Sequence, residues 1–313
     1  MGRYVIRRLL QAVPVLLGTT FIIFFFVFAL PGDPIRALGG DRPLSPGVIA
    51  ELRDRFNLND PFLVQYVKYL GNIFSGDFGQ TFRGQEVSDI IGRTLPVTVK
   101  LAVVAFVIEI VIGIAAGIAA GIRRGSFVDN LVTISTTVLV AIPIFVLGYL
   151  AQYTGGVQLG FFPISGLDQS APWPEQAYQL FLPGLVLATA SLLYVARLTR
   201  TSLVENLRND YVRTARAKGL SERAVVGKHA LRNSLIPVVT FLGADFGTLI
   251  GGAIITEGIF NLGGLGTAVF NAARQQEGAL VVGITTFLVL VYIVANLLVD
   301  LLYAYLDPRI RYD

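Results

Sequence analysis

The sequence predicts an all-α integral membrane protein with six transmembrane helices. Three observations carry this. The 313-residue chain is 54% hydrophobic. Only 15% of its residues are charged, where a soluble domain carries about 25%. Six stretches, roughly 10–30, 97–122, 129–153, 180–197, 235–257 and 279–303, reach or approach the run of about 20 apolar residues that a span needs.

The first stretch follows Arg3, Arg7 and Arg8. Its uncharged run from Gln11 to Leu30 outlasts the roughly 7–15 apolar residues of a signal peptide, and no small-residue cleavage motif follows, so it reads as a retained span. The region 31–96 opens with Pro31-Gly32-Asp33-Pro34, which should end that span sharply. Ser45-Pro46 then signals a helix start, with Val48, Leu52 and Phe56 at helical spacing. Phe62, Tyr66 and Leu70 repeat the spacing in the next stretch. Short helices lying over the membrane surface are expected, either as a cap on the spans or as part of a docking face for an external partner.

In the second span Gly113, Gly117 and Gly121 share one helix face and allow another backbone to come close. Lys100, near its start, can reach the interface by snorkelling. Pro143 interrupts the third span and should kink it, which makes it a candidate hinge. Glu109 and Asp245 lie deep in the second and fifth spans, and Glu257 and Asp300 lie nearer span ends. Charge at such depth faces a protein interior or water. Glu109 and Asp245 are therefore candidates for the wall of a translocation pathway, and Asn296 of the sixth span is a further candidate. The other reading of the deep acids is an interhelical hydrogen bond made in protonated form. Between the fifth and sixth spans, Gly263, Gly264 and Gly266 lack the strand–turn–helix setting of a dinucleotide site, and a short amphipathic helix over Leu265 to Ala273 is expected instead.

Positive charge fixes the expected orientation. The segments before the first span and after the second, fourth and sixth carry 16 Lys and Arg residues, nine of them between Arg197 and Arg232. The segment 153–180 carries none and 258–278 only Arg274. The region 31–96 sets seven basic residues against eight acids, and is too long to weigh heavily. Both termini are expected in the cytoplasm.

Several chemistries are excluded. With no cysteine there is no disulfide or thiolate metal site, and with His229 the one histidine there is no histidine cluster. The one Gly-Lys pair, Gly227-Lys228, is followed by His229, so no phosphate-binding loop is present. No nucleophile–base–orienter set exists. The chain reads as a non-enzyme with no nucleic-acid partner.

The densest basic segment has a helix–break–helix rhythm. Asn209 or Asp210 can cap a helix in which Tyr211, Ala215 and Gly219 share a face, with Arg213, Arg216 and Lys218 on the opposing flank. Gly219 suits the left-handed position that ends a helix, and Ser221 followed by Glu222 starts another that leads to Pro237. The small centre of the first helix, Thr214, Ala215, Ala217 and Gly219, suits close approach by another protein. A basic surface on anionic lipid, or a plain topology signal, are the competing readings.

This segment, DYVRTARAKGL followed by HALRNSLIPVV, resembles the cytoplasmic signature loop of the permease subunits of ABC transporters, and most of all the dipeptide/oligopeptide/nickel importer branch. In the general family the loop reads Glu-Ala-Ala-x-x-x-Gly with a proline 13 residues on. Here Arg213, Thr214 and Ala215 occupy the first three positions and Pro237 stands 18 residues after Gly219, as in the peptide/nickel branch. The resemblance covers nearly the whole chain, through RRLLQAVPVLLGTTFIIF, PGDP, GTLIGGAIITEGIF and NLLVDLLYAYLDPRIR. One local departure is Gly263-Gly264-Leu265-Gly266, where the branch often has Pro-Gly-Leu-Gly.

The resemblance implies the type I ABC importer permease fold, with a terminal span (1–30), an extended outer region (31–96), a permease core (97–303) holding a coupling loop (198–234), and a cytoplasmic tail (304–313). It implies that Asp210, Tyr211, Thr214, Ala215, Arg216, Ala217, Lys218, Gly219 and Leu220 form a coupling helix against an ATPase. It also implies a second homologous permease as a heterodimer partner, two cytoplasmic P-loop ATPase domains that hold the ATP and magnesium, and an external peptide-binding protein. The complex would sit in the prokaryotic inner membrane. Di- or oligopeptides are the expected cargo, with nickel chelates, haem or glutathione as alternatives in the same class. A transporter working alone would instead show internal repeats and more deep charges, and a membrane scaffold would need neither deep carboxylates nor a kinked span.

Overall fold

The computed structural model describes residues 2–28, Ile35 and 45–306. The Pro31–Pro34 turn, the side chains of Arg3 and Asp300, and residues 307–313 with Arg309 and Arg311 lie outside the described residues.

The described elements are helices, in chain order α1 (Gly2–Phe28), α2 (Pro46–Arg55), α3 (Phe62–Phe74), α4 (Val87–Ile122), α5 (Phe127–Val140), α6 (Ile144–Gln158), α7 (Trp173–Asn206), α8 (Asp210–Ala217), α9 (222–234), α10 (Ile236–Phe260), α11 (Leu265–Arg274) and α12 (Gly278–Leu306). Among the described residues five are long and apolar enough to cross a membrane, and there are six if the bent pair α5–α6 counts as one broken span. The chain is therefore a multi-pass all-α membrane protein. The expected segments are all present, but two boundaries move. α4 starts at Val87 rather than 97, and α7 extends well past 180–197 at both ends.

The chain divides into two compact units, Met1–Thr98 with Leu262–Asp313, and Val99–Asn261. In the first, the Ser45 side chain caps α2 by accepting from the Val48 amide at 3.4 Å. α3 lays its apolar face on α1: Phe24 and Tyr66 are buried there with Phe21 and Phe62 beside them. The Tyr66 hydroxyl lies 2.9 Å from Thr20 Oγ1 and donates to the Leu17 carbonyl at 2.8 Å. The Tyr69 hydroxyl donates to Thr286 Oγ1 of α12 at 2.7 Å. The Leu265 amide that opens α11 donates to Thr98 Oγ1 at 2.9 Å, so α11 begins where the sequence places it.

In the second unit, α7 is the central element, and fifteen of its residues are buried. α4 crosses it on a glycine face. A Cβ on Gly117 would stand 2.5 Å from Thr199 Cβ and 2.6 Å from the Ala196 carbonyl, and one on Gly113 would stand 2.9 Å from Val195 Cγ1. Gly184 repeats the device from the α7 side, where a Cβ would meet Val104 Cγ1 at 2.9 Å. The shared face read from the sequence is thus a close helix–helix contact. Pro143 does more than kink its span. The chain leaves α5 at Ala141, turns by 108° and restarts as α6 immediately after Pro143. Proline at that position cannot donate an amide proton to the preceding turn and pre-sets the new start.

Candidate functional site: an exposed helix on a buried footing

α8 is set by local chemistry on both sides. The Asn209 backbone is extended, and the first helical amides bond back to its carbonyl at 3.0 and 3.2 Å without a side-chain cap. Thr214 Oγ1 donates to the Asp210 carbonyl at 2.9 Å. At the far end Gly219 has φ +78°, the left-handed conformation that closes a helix with least strain on glycine. The Ser221 side chain then accepts from the Ala224 amide at 3.4 Å and starts α9. The expected break and cap are both present.

α8 stands on a small apolar core. Val212 is fully buried and Ala215 is 5% exposed, packed with Leu203 of α7 and Val225 and Ala230 of α9. Ile118 and Leu207 close the cluster. The Tyr211 hydroxyl reaches back to Asn206 Oδ1 at 2.5 Å. This footing corrects one expectation: the small centre of the helix is not wholly offered outward, because Ala215 faces the chain's own core. The outward surface is Asp210, Tyr211, Arg213, Thr214, Arg216, Ala217, Lys218, Gly219 and Leu220.

The basic flank is also partly engaged. Arg216 Nε donates to Glu222 Oε1 at 2.8 Å and its Nη2 to Oε2 at 3.3 Å, fastening the end of α8 to the start of α9. That hydrogen bond holds the Glu222 carboxyl below its ordinary range and the guanidinium above its own. Arg213 lies 3.2 Å from Asp210 one turn earlier. Both ion pairs are solvent-exposed and weakly held. They set the rim of the surface more than they stabilise it.

Arg197 and Arg200 of α7 lie on the approach to α8. Arg197 donates to Thr136 Oγ1 at 2.9 Å and to Thr137 Oγ1 at 3.0 Å, both on α5. Arg200 clasps the buried carboxylate of Asp129, also on α5, through Nε and Nη2. The span that ends in the exposed helix is therefore tied to its neighbour by charge.

The remaining sequence candidates are separate from this surface. Glu109 is fully buried where α4 meets α10, and Asp245 of α10 is 6% exposed. Asn296 lies in the first unit and lines a cleft of ≈ 180 Å³ with Arg8, Gln11 and Tyr292. Two features had no signal in the sequence. Helices α4, α6 and α9 each contain a widened π segment, at Glu109–Gly113, Gln152–Gln158 and Val225–Ala230. The Asp129–Arg200 pair joins residues remote in sequence.

Two family models match the chain. One, described as the binding-protein-dependent transport system inner membrane component, covers residues 109–312. The other, the N-terminal part of the same kind of membrane component, covers residues 1–102. Curated relatives match along the full length of both chains. The oligopeptide transport system permease protein AppB of Bacillus subtilis is 38% identical. The dipeptide transport system permease protein DppB of Alkalihalophilus pseudofirmus is 36% identical. The glutathione transport system permease protein GsiC of Salmonella paratyphi A is 39% identical.

Proposed function

The chain belongs to the family of inner membrane components of binding-protein-dependent transport systems, and on that premise we propose that it moves di- or oligopeptides into the cell by alternating access. It is a membrane permease subunit and not the hydrolytic one. ATP is cleaved by separate subunits, consistent with a chain that has no phosphate-binding loop. An external binding protein delivers cargo, and a second permease completes the pathway as a heterodimer. Both termini face the cytoplasm, in keeping with the basic segments. A protein pathway is needed because bare transfer of a peptide through hydrocarbon would strand several polar groups, at roughly 2–7 kcal/mol each. Glutathione, the cargo named for one relative, is a peptide of the same class.

The observation that carries the reading is α8, a short helix with an exposed outer face and a buried footing on α7. In this reading α8 enters a groove of the ATPase and passes its motion to α7. Lys218 and the rim arginines complement an acidic groove edge. Glu109 and Asp245 act from behind the wall of the pathway, Asn296 acts in the first unit, and Pro143 allows α6 to swing.

The chain has no cysteine, so single cysteines can be placed cleanly. Ala217→Cys and Leu220→Cys on α8 are expected to cross-link to the ATPase subunit in the assembled transporter, and Gly166→Cys, in the segment between α6 and α7, is not. Absence of any α8 cross-link, with transport intact, would exclude the coupling role. Peptide-stimulated ATPase activity with loaded binding protein tests the cargo separately.

A further inference from the structure

Glu109 has no exposed surface, and neither of its carboxyl oxygens receives a hydrogen bond from a donor among the described residues. It faces the Asp245 carboxyl of α10, which accepts from Ser191 of α7 and whose Oδ2 also lacks a donor. An ionised carboxylate offers acceptors only. Two of them in contact away from water would meet with both repulsion and unmet desolvation. Something positive must lie between them.

The backbone points to the same place. Glu109 opens a five-residue π segment in a long α-helix. Such single-turn widenings gather at functional sites. At the other end of that segment, Gly113 comes so close to α7 that a Cβ would stand 3.1 Å from the Leu192 carbonyl. The helix is widened where the carboxyl enters the junction of α4, α7 and α10.

The surroundings favour the smallest cation. No ion pair reaches either carboxyl among the described residues. The other charged side chains near these helices are engaged elsewhere: Lys100 bonds Gln176, Arg197 bonds Thr136 and Thr137, and Arg200 pairs with Asp129. Glu257 lies about three turns along α10 from Asp245. No group of three or more metal-ligating side chains forms among the described residues, whereas hard cations take about six or more oxygens. A proton needs one donor oxygen and one acceptor oxygen.

We propose that Glu109 and Asp245 form a buried proton-binding site. One proton is held between the two carboxyls, and the Ser191 hydroxyl donates to the same Asp245. The bound proton joins three spans within this subunit. The inference does not depend on which partner α8 meets or which cargo is carried.

Infrared difference spectroscopy on the full-length chain, purified with its partner subunits in lipid nanodiscs near neutral pH, reads the proton directly. Wild type minus Glu109→Gln/Asp245→Asn is expected to show one protonated-carboxyl stretch that shifts in deuterium oxide. No such band would mean that both groups are ionised, and would overturn the proposal. If the double variant does not assemble, Glu109→Gln alone keeps a donor toward Asp245 and loses the same band. The thermal unfolding midpoint is expected to be independent of sodium and potassium. A rise with either ion that the double variant abolishes would assign the site to that ion instead.

Discussion

Arg200 holds Asp129 with two nitrogens, and Asp129 Oδ2 also accepts from the Gly125 amide at 2.8 Å. The acid is 3% exposed. The pair joins the start of α5 to the part of α7 that runs on to α8. Asp129→Ala leaves the guanidinium without its partner in a partly buried place, and is expected to destabilise the chain by about 2–4 kcal/mol. The exchange of the two residues is expected to recover part of that loss. Thermal unfolding in lipid nanodiscs of Asp129→Arg, Arg200→Asp and the exchange gives the coupling energy.

Gly117 predicts the cost of separating α4 from α7. A Cβ there would sit 2.5 Å from Thr199, far inside contact distance, with backbone on one side. Gly117→Leu is expected to cost about 3 kcal/mol or more and to abolish assembly. Gly18→Ala on α1 meets nothing within 4 Å and is expected to change stability by less than about 1 kcal/mol. Yield and unfolding midpoint of the two variants compare directly.

Ala215 and Ala217 should respond in opposite ways. Ala215→Leu over-packs the cluster under α8 and is expected to cost about 1–3 kcal/mol and to loosen the loop. Ala217→Trp alters only the exposed face, so stability should hold while binding-protein-stimulated ATPase activity falls at least fivefold. Stability and stimulation measured together separate footing from surface.

The Arg216–Glu222 pair has an acid limit. The folded-state carboxyl lies below its ordinary 4.5, so its contribution is present above that value and is lost as pH falls through the folded value. A spin label on Leu220→Cys is expected to gain mobility as the pH drops below the ordinary value. In Glu222→Gln the label should be mobile throughout, with no step in that window.

The sequence made most of this visible where the cause is local. Gly219 and Ser221 announce their conformations by residue type, and the spacing of Gly113, Gly117 and Gly121 fixes a face before any partner is known. What stayed hidden depends on distant residues. The extension of α7 past 197 was not legible, because the acid that satisfies Arg200 lies 71 positions away. Pro143 indicates a break but not a 108° turn, since the angle is set by what α6 packs against. The inward facing of Ala215 could not be read from the helix alone, because Leu203, Val225 and Ala230, which cover it, lie on other elements. The π segments have no residue signature at all.

The break at 141–143 has a mechanical consequence. α5 is clamped to α7 through Asp129, while α6 packs on α10, where a Cβ on Gly148 would stand 2.9 Å from Ile259 Cδ1. A straight rod fixed at both ends would carry any slip between α7 and α10 as axial load. A rod cut and bent between its two anchors carries the same slip as torsion across three residues. In the transport cycle proposed above, the third span is expected to act as a crank, its stiffness setting how far α7 travels before α10 follows.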